Sequence, residues 1–475
     1  MSHGRRGLVS SLLLAGVLGC SDSPGPGVGS IFPDIVLVSI DSLRADHLGC
    51  YGYWRPTSPT IDRLASRGAR FANAVTTTSW TLPAHAALFT GLNDAAHGVM
   101  TDGIRLADDH VTLAEELRGA GYQTAGFFGG PYLHPTFGLD QGFDTYQSCM
   151  TRIADDVTGR DVRAEALGGE ETSHGDITGP RLLEEVEGWL DQVSEDPFFL
   201  FLHMWDVHYD YIPPQRLVEA FDPDYQGSIT GRGMMHNQAI SAEMDQRDLE
   251  HLLALYDGEI RFTDEILGQV LERLDARGRL EGTLIVVTAD HGEEFFEHGG
   301  KGHRRTLFDE VLRVPLVVYW PGHVAPGQVI EDQVRIIDVS PTLLSLAGVA
   351  STGQLQGRDL TALLTGQTLE PAPALGELRR RRGILWTLRT NAEKALLAPD
   401  GRFVRFDLSR DPSEKRALAG RDPAGRASRR RLEAAIASAE EASASSGGVP
   451  IALPGEIRKQ LEELGYLEEA SPTAP

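Results

Sequence analysis

The chain is poor in cysteine. Its 475 residues include only Cys20, Cys50 and Cys149, too few for a disulfide framework or a four-thiolate zinc site. Positive charge is scarce too, with 44 Lys+Arg against 68 Asp+Glu and a formal net charge of −24. That balance argues against nucleic acid as the main partner, because such binding needs a basic face. No apolar run is long enough to span a bilayer. What remains is ordinary for a folded protein: 41% hydrophobic and 24% charged residues, neither disordered nor collagen-like. The length predicts a large α/β domain with an appendage, or two domains.

The apolar run Leu8–Leu18 follows Arg5 and Arg6 and has the shape of a secretion signal. It ends Val17-Leu18-Gly19-Cys20, which resembles a bacterial lipoprotein box. The resemblance implies a signal peptide over 1–19, cleavage before Cys20 and lipidation of that thiol. The alternative is a plain signal with Cys20 incidental; both predict export, to the periplasm or outer surface. Residues 20–33, rich in Gly, Pro and Ser, read as a tether. In an oxidising compartment Cys50 and Cys149 are candidates for a disulfide, and sequence does not decide whether they meet.

Asp34–Ile40 (DIVLVSI) reads as a buried parallel strand. Further candidates are Gln123–Phe128, Phe198–Trp205, Thr283–Ala289 and Pro315–Trp320. Helical patterns lie between them, notably Pro180–Val193 and Leu252–Leu274. Alternation of this kind predicts an α/β fold, a mostly parallel sheet flanked by helices. The predicted catalytic domain covers 34–365. A small antiparallel subdomain comes next over 366–424, with strands Ile384–Arg389, Lys394–Leu397 and Arg402–Leu408. An Ala/Ser-rich linker and terminal helix fill 425–475.

Ligands of open α/β sheets bind beyond the carboxyl ends of strands. Here those ends carry Asp41, Asp206-Val207-His208 and Asp290-His291-Gly292. Carboxylate and imidazole donors converging at one sheet edge suit a divalent metal. In TTTSWTLPAHAALFTG (Thr76–Gly91), Pro83 fits the first turn of a helix, which places Thr81 near a helix N-terminus. Backbone N–H groups favour an anion there, and a metal on the hydroxyl would activate it as a nucleophile. A plain N-cap threonine has the same sequence appearance.

These residues carry a family resemblance. IDSLRADHLGCYGY (Ile40–Tyr53), TLPAHAALFTG (Thr81–Gly91), FGLDQGFDTY (Phe137–Tyr146), DVHYDYIPP (Asp206–Pro214) and TADHGEEFFEHGGKGH (Thr288–His303) occur in the order found in sulfatases. FDLSRDPSEKRAL (Phe406–Leu418) is similar to the C-terminal subdomain of that family. The chain thus resembles the sulfatase branch of the alkaline-phosphatase superfamily over most of residues 34 to 420. The resemblance implies the alkaline-phosphatase-like fold, a divalent metal and an anionic ester substrate: a small molecule, glycan or lipid head group.

The departures are informative. Common sulfatases carry Cys or Ser at the nucleophile position and oxidise it to formylglycine; here it is Thr81. Oxidising its secondary alcohol would give a ketone. The usual Arg of the motif is His85, the second Asp of the Asp-Asp pair is Ser42, and Gly129–Leu133 replaces a Lys-x-His segment. An unmodified metal-bound Thr is similar to that of the superfamily's phosphodiesterases and phosphoethanolamine or phosphoglycerol transferases. The resemblance implies Asp41, Thr81, Asp290 and His291 as ligands of Ca, Mn, Mg or Zn, with Thr81 the nucleophile. It implies His208 as acid/base, His303 or the nearby Lys301 as anion contacts, and His85 as substitute for the missing Arg. A second metal site would draw on Asp206, His208 and one of His298 or His303. Arg44 either adds positive charge or holds a surface turn, and Asp46 and His47 are expected to stabilise that turn.

The expected function is an exported, lipid-anchored, metal-dependent ester hydrolase, phosphate esters favoured over sulfate. The alternatives are a head-group transferase on glycan or lipid, and a catalytically silent binding protein.

Overall fold

A computed structural model describes residues 32–150, 178–443 and 447–467. The predicted signal peptide, Cys20 and nearly all of the tether lie outside the described residues.

The main sheet is built from β1 (Asp34–Ile40), β2 (Ala69–Val75), β3 (Gln123–Phe128), β4 (Thr145–Ser148), β5 (Phe198–Met204), β6 (Thr283–Thr288), β7 (Arg313–Val314), β8 (Leu316–Tyr319) and β9 (Gln328–Arg335). Its order is β7-β2-β8-β6-β1-β5-β3-β4, with β9 pairing to β2. β1 runs parallel to both β5 and β6, and β3 is parallel to β4 and β5. The mostly parallel sheet is therefore as predicted. One departure is β8, which is antiparallel to both β2 and β6. Its apolar run is too short for periodicity to reveal direction.

β1, β5 and β6 are buried along their whole length, which is why they read as unbroken apolar runs. Helices α1 (Pro59–Arg67), α2 (Thr81–Thr90), α3 (Gly179–Leu190) and α4 (Gln246–Ala276) connect the strands. α4 packs on α1 and α3. It also supplies the cap of α1, since Asp264 accepts from the Thr60 and Ile61 N–H groups at 2.8 and 2.9 Å, satisfying donors that have no intrahelical partner.

The small antiparallel sheet has four strands: β10 (Ala374–Arg380), β11 (Gly383–Arg389), β12 (Glu393–Leu397) and β13 (Phe403–Asp407). Its first strand escapes a pattern reading because GELRRRR is too charged. Lys394, fully buried, ties this sheet to the main one through Asp309 at 2.8 Å and Glu414 at 3.1 Å. Arg389 also grips Asp309 at 2.7 Å. Helices α5 (Pro423–Ser443) and α6 (Gly455–Glu463) complete the described chain. The described residues from Pro33 onward form one compact unit. No described helix is long and apolar enough to cross a membrane. Cys50 and Cys149 are both free thiols, so the disulfide left open by the sequence is not formed.

Candidate active site

The central strands β1, β5 and β6 end side by side, and the site is assembled from the residues just beyond those ends. Asp41 directly succeeds β1; Asp290 and His291 lie just beyond β6. Gly292 is required after them, because a Cβ there would overlap the Glu310 carbonyl. Ser42, in a left-handed conformation (φ 56°), donates its backbone N–H to Asp290 Oδ1 at 3.3 Å and its hydroxyl to Asp41 Oδ1 at 2.9 Å. Thr81 is the first residue of α2, a helix buried in every position. Its hydroxyl lies 3.3 Å from Asp41 Oδ2 and 3.4 Å from His291 Nε2. Asp41, Asp290 and His291 can place one ligand atom each within 4.8 Å of the others. The structure thus brings together all four residues expected at the metal.

Histidine tautomers are set by the partners. A carbonyl oxygen can only accept, so a ring nitrogen facing one must carry the proton. His291 Nδ1 faces Gly292 O at 2.9 Å, which turns the Nε2 lone pair toward Asp41 at 3.7 Å and Asp290 at 3.5 Å. A lone pair beside two carboxylates is the environment of a cation. Asp290 Oδ2 has no hydrogen-bond partner although it is buried. An orphaned acceptor of that kind fits a metal ligand, so the residues present suit the divalent cation implied by the family resemblance. Desolvation acts against charge on Asp41, yet His208, His203 and His291 together hold its carboxyl well below the usual range. Burial, then the Asp41 charge, pushes Asp290 well above it. Two carboxylates this close do not share negative charge equally without a cation between them.

A second cluster lies beside the first. His208 Nδ1 donates to Tyr209 O at 2.8 Å, and its Nε2 meets the hydroxyl of Tyr466. His303 Nε2 meets the same hydroxyl at 2.9 Å, and its Nδ1 donates to Glu293 at 3.0 Å. Tyr211 donates to the other Glu293 oxygen at 2.7 Å. Burial lowers His208 to about 4 and raises Glu293 to about 7. The His291 and His303 rings meet at a tilt with centroids 4.4 Å apart, which joins the two clusters. Arg304 lies over the Trp80 and Tyr466 rings at 4.1 and 5.0 Å and pairs with Asp102 at 3.0 Å.

Several expectations are corrected. His85 does not replace the arginine cation. Its Nδ1 donates to Thr81 O and its Nε2 accepts from Ser39 Oγ, both at 2.9 Å, and burial drops it to about 3, so it is neutral. Lys301 gives its ammonium to the Asn237 and Ile240 carbonyls at 3.0 and 2.6 Å, holding a loop. Asp206 caps α3, accepting from Thr178 N, Thr178 Oγ1 and Gly179 N at 3.0, 2.8 and 2.8 Å. His298 pairs with Glu310 at 2.6 Å and Glu414 O at 3.2 Å. The second metal site drawn from Asp206 and His298 is therefore not assembled. Arg44 pairs with Asp46 and Glu297, so its charge is spent there, while Asp46 and His47, the latter on Asp257, hold the turn as expected.

Sequence reasoning missed His203, Glu293 and Tyr466. Glu293 and Tyr466 gave no signal, but His203 did. It pairs in register with Ser39, so DIVLVSI and FFLFLHM each break their apolar run one residue before the strand ends.

The layered sheet with its candidate metal residues at the strand ends has the alkaline-phosphatase-like fold. The sulfatase family profile matches residues 33–349; the chain belongs to the sulfatase family. It is 25% identical over 344 residues to an ulvan-active sulfatase of Formosa agariphila, covering 70% of this chain and 65% of that protein. It thus spans slightly under two thirds of that relative. It is 27% identical over 391 residues to human arylsulfatase A, covering 72% of this chain and 70% of that one. In fold it superposes on the phosphonate monoester hydrolase of Agrobacterium radiobacter with a TM-score of 0.71 and 23% identity, over 86% of this chain and 96% of the other.

Proposed function

We propose that this protein is an exported, divalent-metal-dependent hydrolase that cleaves a phosphate ester in preference to a sulfate ester, with Thr81 as nucleophile. The observation that carries this reading is the Thr81 hydroxyl, set at a helix start between Asp41 and His291. A threonine side chain cannot become the formylglycine aldehyde, so an unmodified hydroxyl must act.

Asp41, Asp290, His291 and Thr81 would hold the cation. When bound, it supplies positive charge that lowers the hydroxyl pKa and offsets charge developing on the ester oxygens. Thr81 Oγ1 then gives up its proton and attacks phosphorus, the bond to the leaving oxygen breaks, and that oxygen takes up the proton. Water next cleaves the threonyl ester and regenerates the hydroxyl. His208 and His303, with inward Nε2 atoms near one another, are placed to contact a substrate oxygen and to move that proton. The Glu293 carboxyl, titrating near neutrality, orients His303 through Nδ1. The N-terminal signal and Cys20 support export and lipid anchoring.

The test uses the chain from Ser21 onward, assayed on aryl sulfate, phosphate monoester, phosphodiester and phosphonate monoester substrates beside metal analysis. Thr81→Ala is expected to lower kcat by about 10³-fold or more. Unchanged turnover would remove Thr81 from the chemistry. A folded protein with no cation and no turnover would favour a binding role, and product on an added alcohol instead of water would favour a transferase.

A further inference from the structure

One buried histidine takes no part in that chemistry. His203 stands near the end of β5 and is fully buried. Its Nδ1 donates to Gly129 O at 2.8 Å, which aims Nε2 toward Asp41. That nitrogen has no hydrogen-bond partner. It faces Asp41 Oδ2 at 3.4 Å and lies within 4.8 Å of an Asp290 ligand atom. An imidazole nitrogen and a carboxylate oxygen facing each other in a dry interior are unfavourable unless a proton or a metal cation joins them. Asp290 Oδ2, the other orphaned atom here, lies on the same side, toward His85 at 3.8 Å. His85 is not available as a third donor, because both its nitrogens are engaged.

We infer that His203 is a further ligand of the catalytic cation. This rests on the proposed metal site and deepens it. With His203 the donors become two carboxylates, two imidazoles and the Thr81 hydroxyl. His203 Nε2 and the Thr81 hydroxyl lie 3.4 and 3.3 Å from Asp41 Oδ2, and His291 Nε2 lies 3.7 Å from Asp41 Oδ1, 3.5 Å from Asp290 Oδ2 and 3.4 Å from the Thr81 hydroxyl. Imidazole-rich sets favour zinc and similar borderline cations, while calcium takes oxygen donors alone. The structure thus points to zinc or a like metal over calcium, a choice the sequence leaves open.

The experiment is metal binding, not turnover. Zn²⁺ and Ca²⁺ titrations by calorimetry are run on the metal-free wild type and on His203→Asn, with circular dichroism confirming the fold. Zn²⁺ is expected to bind wild type more tightly than Ca²⁺, and about 100-fold more weakly after the substitution, at or above the upper end of outer-shell effects. Pulsed EPR of the copper-loaded wild type, which needs no variant, is expected to resolve two coordinated imidazoles. A single imidazole, or equal Zn²⁺ affinity in the folded variant, would overturn the role of His203 while leaving the metal site standing. A wild type that binds neither ion would overturn both.

Discussion

At the scale of single residues, the site works by fixing protons. His85, His203, His208 and His291 each spend Nδ1 on a backbone carbonyl, so the direction of each Nε2 is set by the main chain. Burial keeps His208 neutral to about pH 4, against about 6.5 for an unperturbed imidazole. A folded value below the unfolded one stabilises the fold above pH 6.5, and that contribution is lost as pH falls through 4. In chelator-treated protein the stability difference between wild type and His208→Asn should therefore shrink by roughly 3 kcal/mol between pH 6.5 and 4, read from urea unfolding at several pH values. A pH-independent difference would mean that the ring protonates freely in the folded state. Asp41, Thr81, Asp290 and His291 were legible beforehand because each stands in a family motif. His203 was legible only as an interruption of an apolar run, and its meaning required knowing that β1 and β5 are neighbours.

At the scale of elements, the strands that matter were readable because a strand buried on both faces must be apolar throughout. β1 and β3 have the predicted limits, Asp34–Ile40 and Gln123–Phe128. What the pattern could not show is how the small antiparallel sheet is held. Lys394 is buried between Asp309 and Glu414, and the Lys394 and Arg389 charges, outweighing desolvation, hold Asp309 far below the normal carboxyl range. Lys394→Ala would leave two buried carboxyls short of a partner. A loss of about 3–5 kcal/mol is expected for a broken buried pair, seen as a lower denaturant midpoint. A midpoint within experimental error of wild type would show that Arg389 alone suffices.

At the scale of the whole molecule, the C-terminal segment returns to the catalytic centre. Tyr466, just beyond α6, places its hydroxyl on both His208 and His303 and its ring beside Tyr132 at 5.1 Å. The two histidines are 1% and 4% exposed. Tyr466→Ala should speed carbethoxylation of His208 and His303 several-fold, measured by peptide mass spectrometry. Equal rates would show that the tail does not cover them. The net charge of −24 likewise means little at the site, where buried imidazoles, Arg304 and the proposed cation set the local potential.

The sequence by itself determined the family, the layered α/β plan and the strand-end residues Asp41, Asp290 and His291, because local motifs and apolar periodicity record what each segment must bury or expose. Only the tertiary structure decided which polar side chains meet. It turned Asp206, His298 and Lys301 away to cap a helix and hold loops, and it brought His203, Glu293 and Tyr466 inward. The reason is physical: a hydrogen bond or ligand contact depends on distances of a few ångströms between residues up to 258 positions apart, and no local pattern encodes that separation.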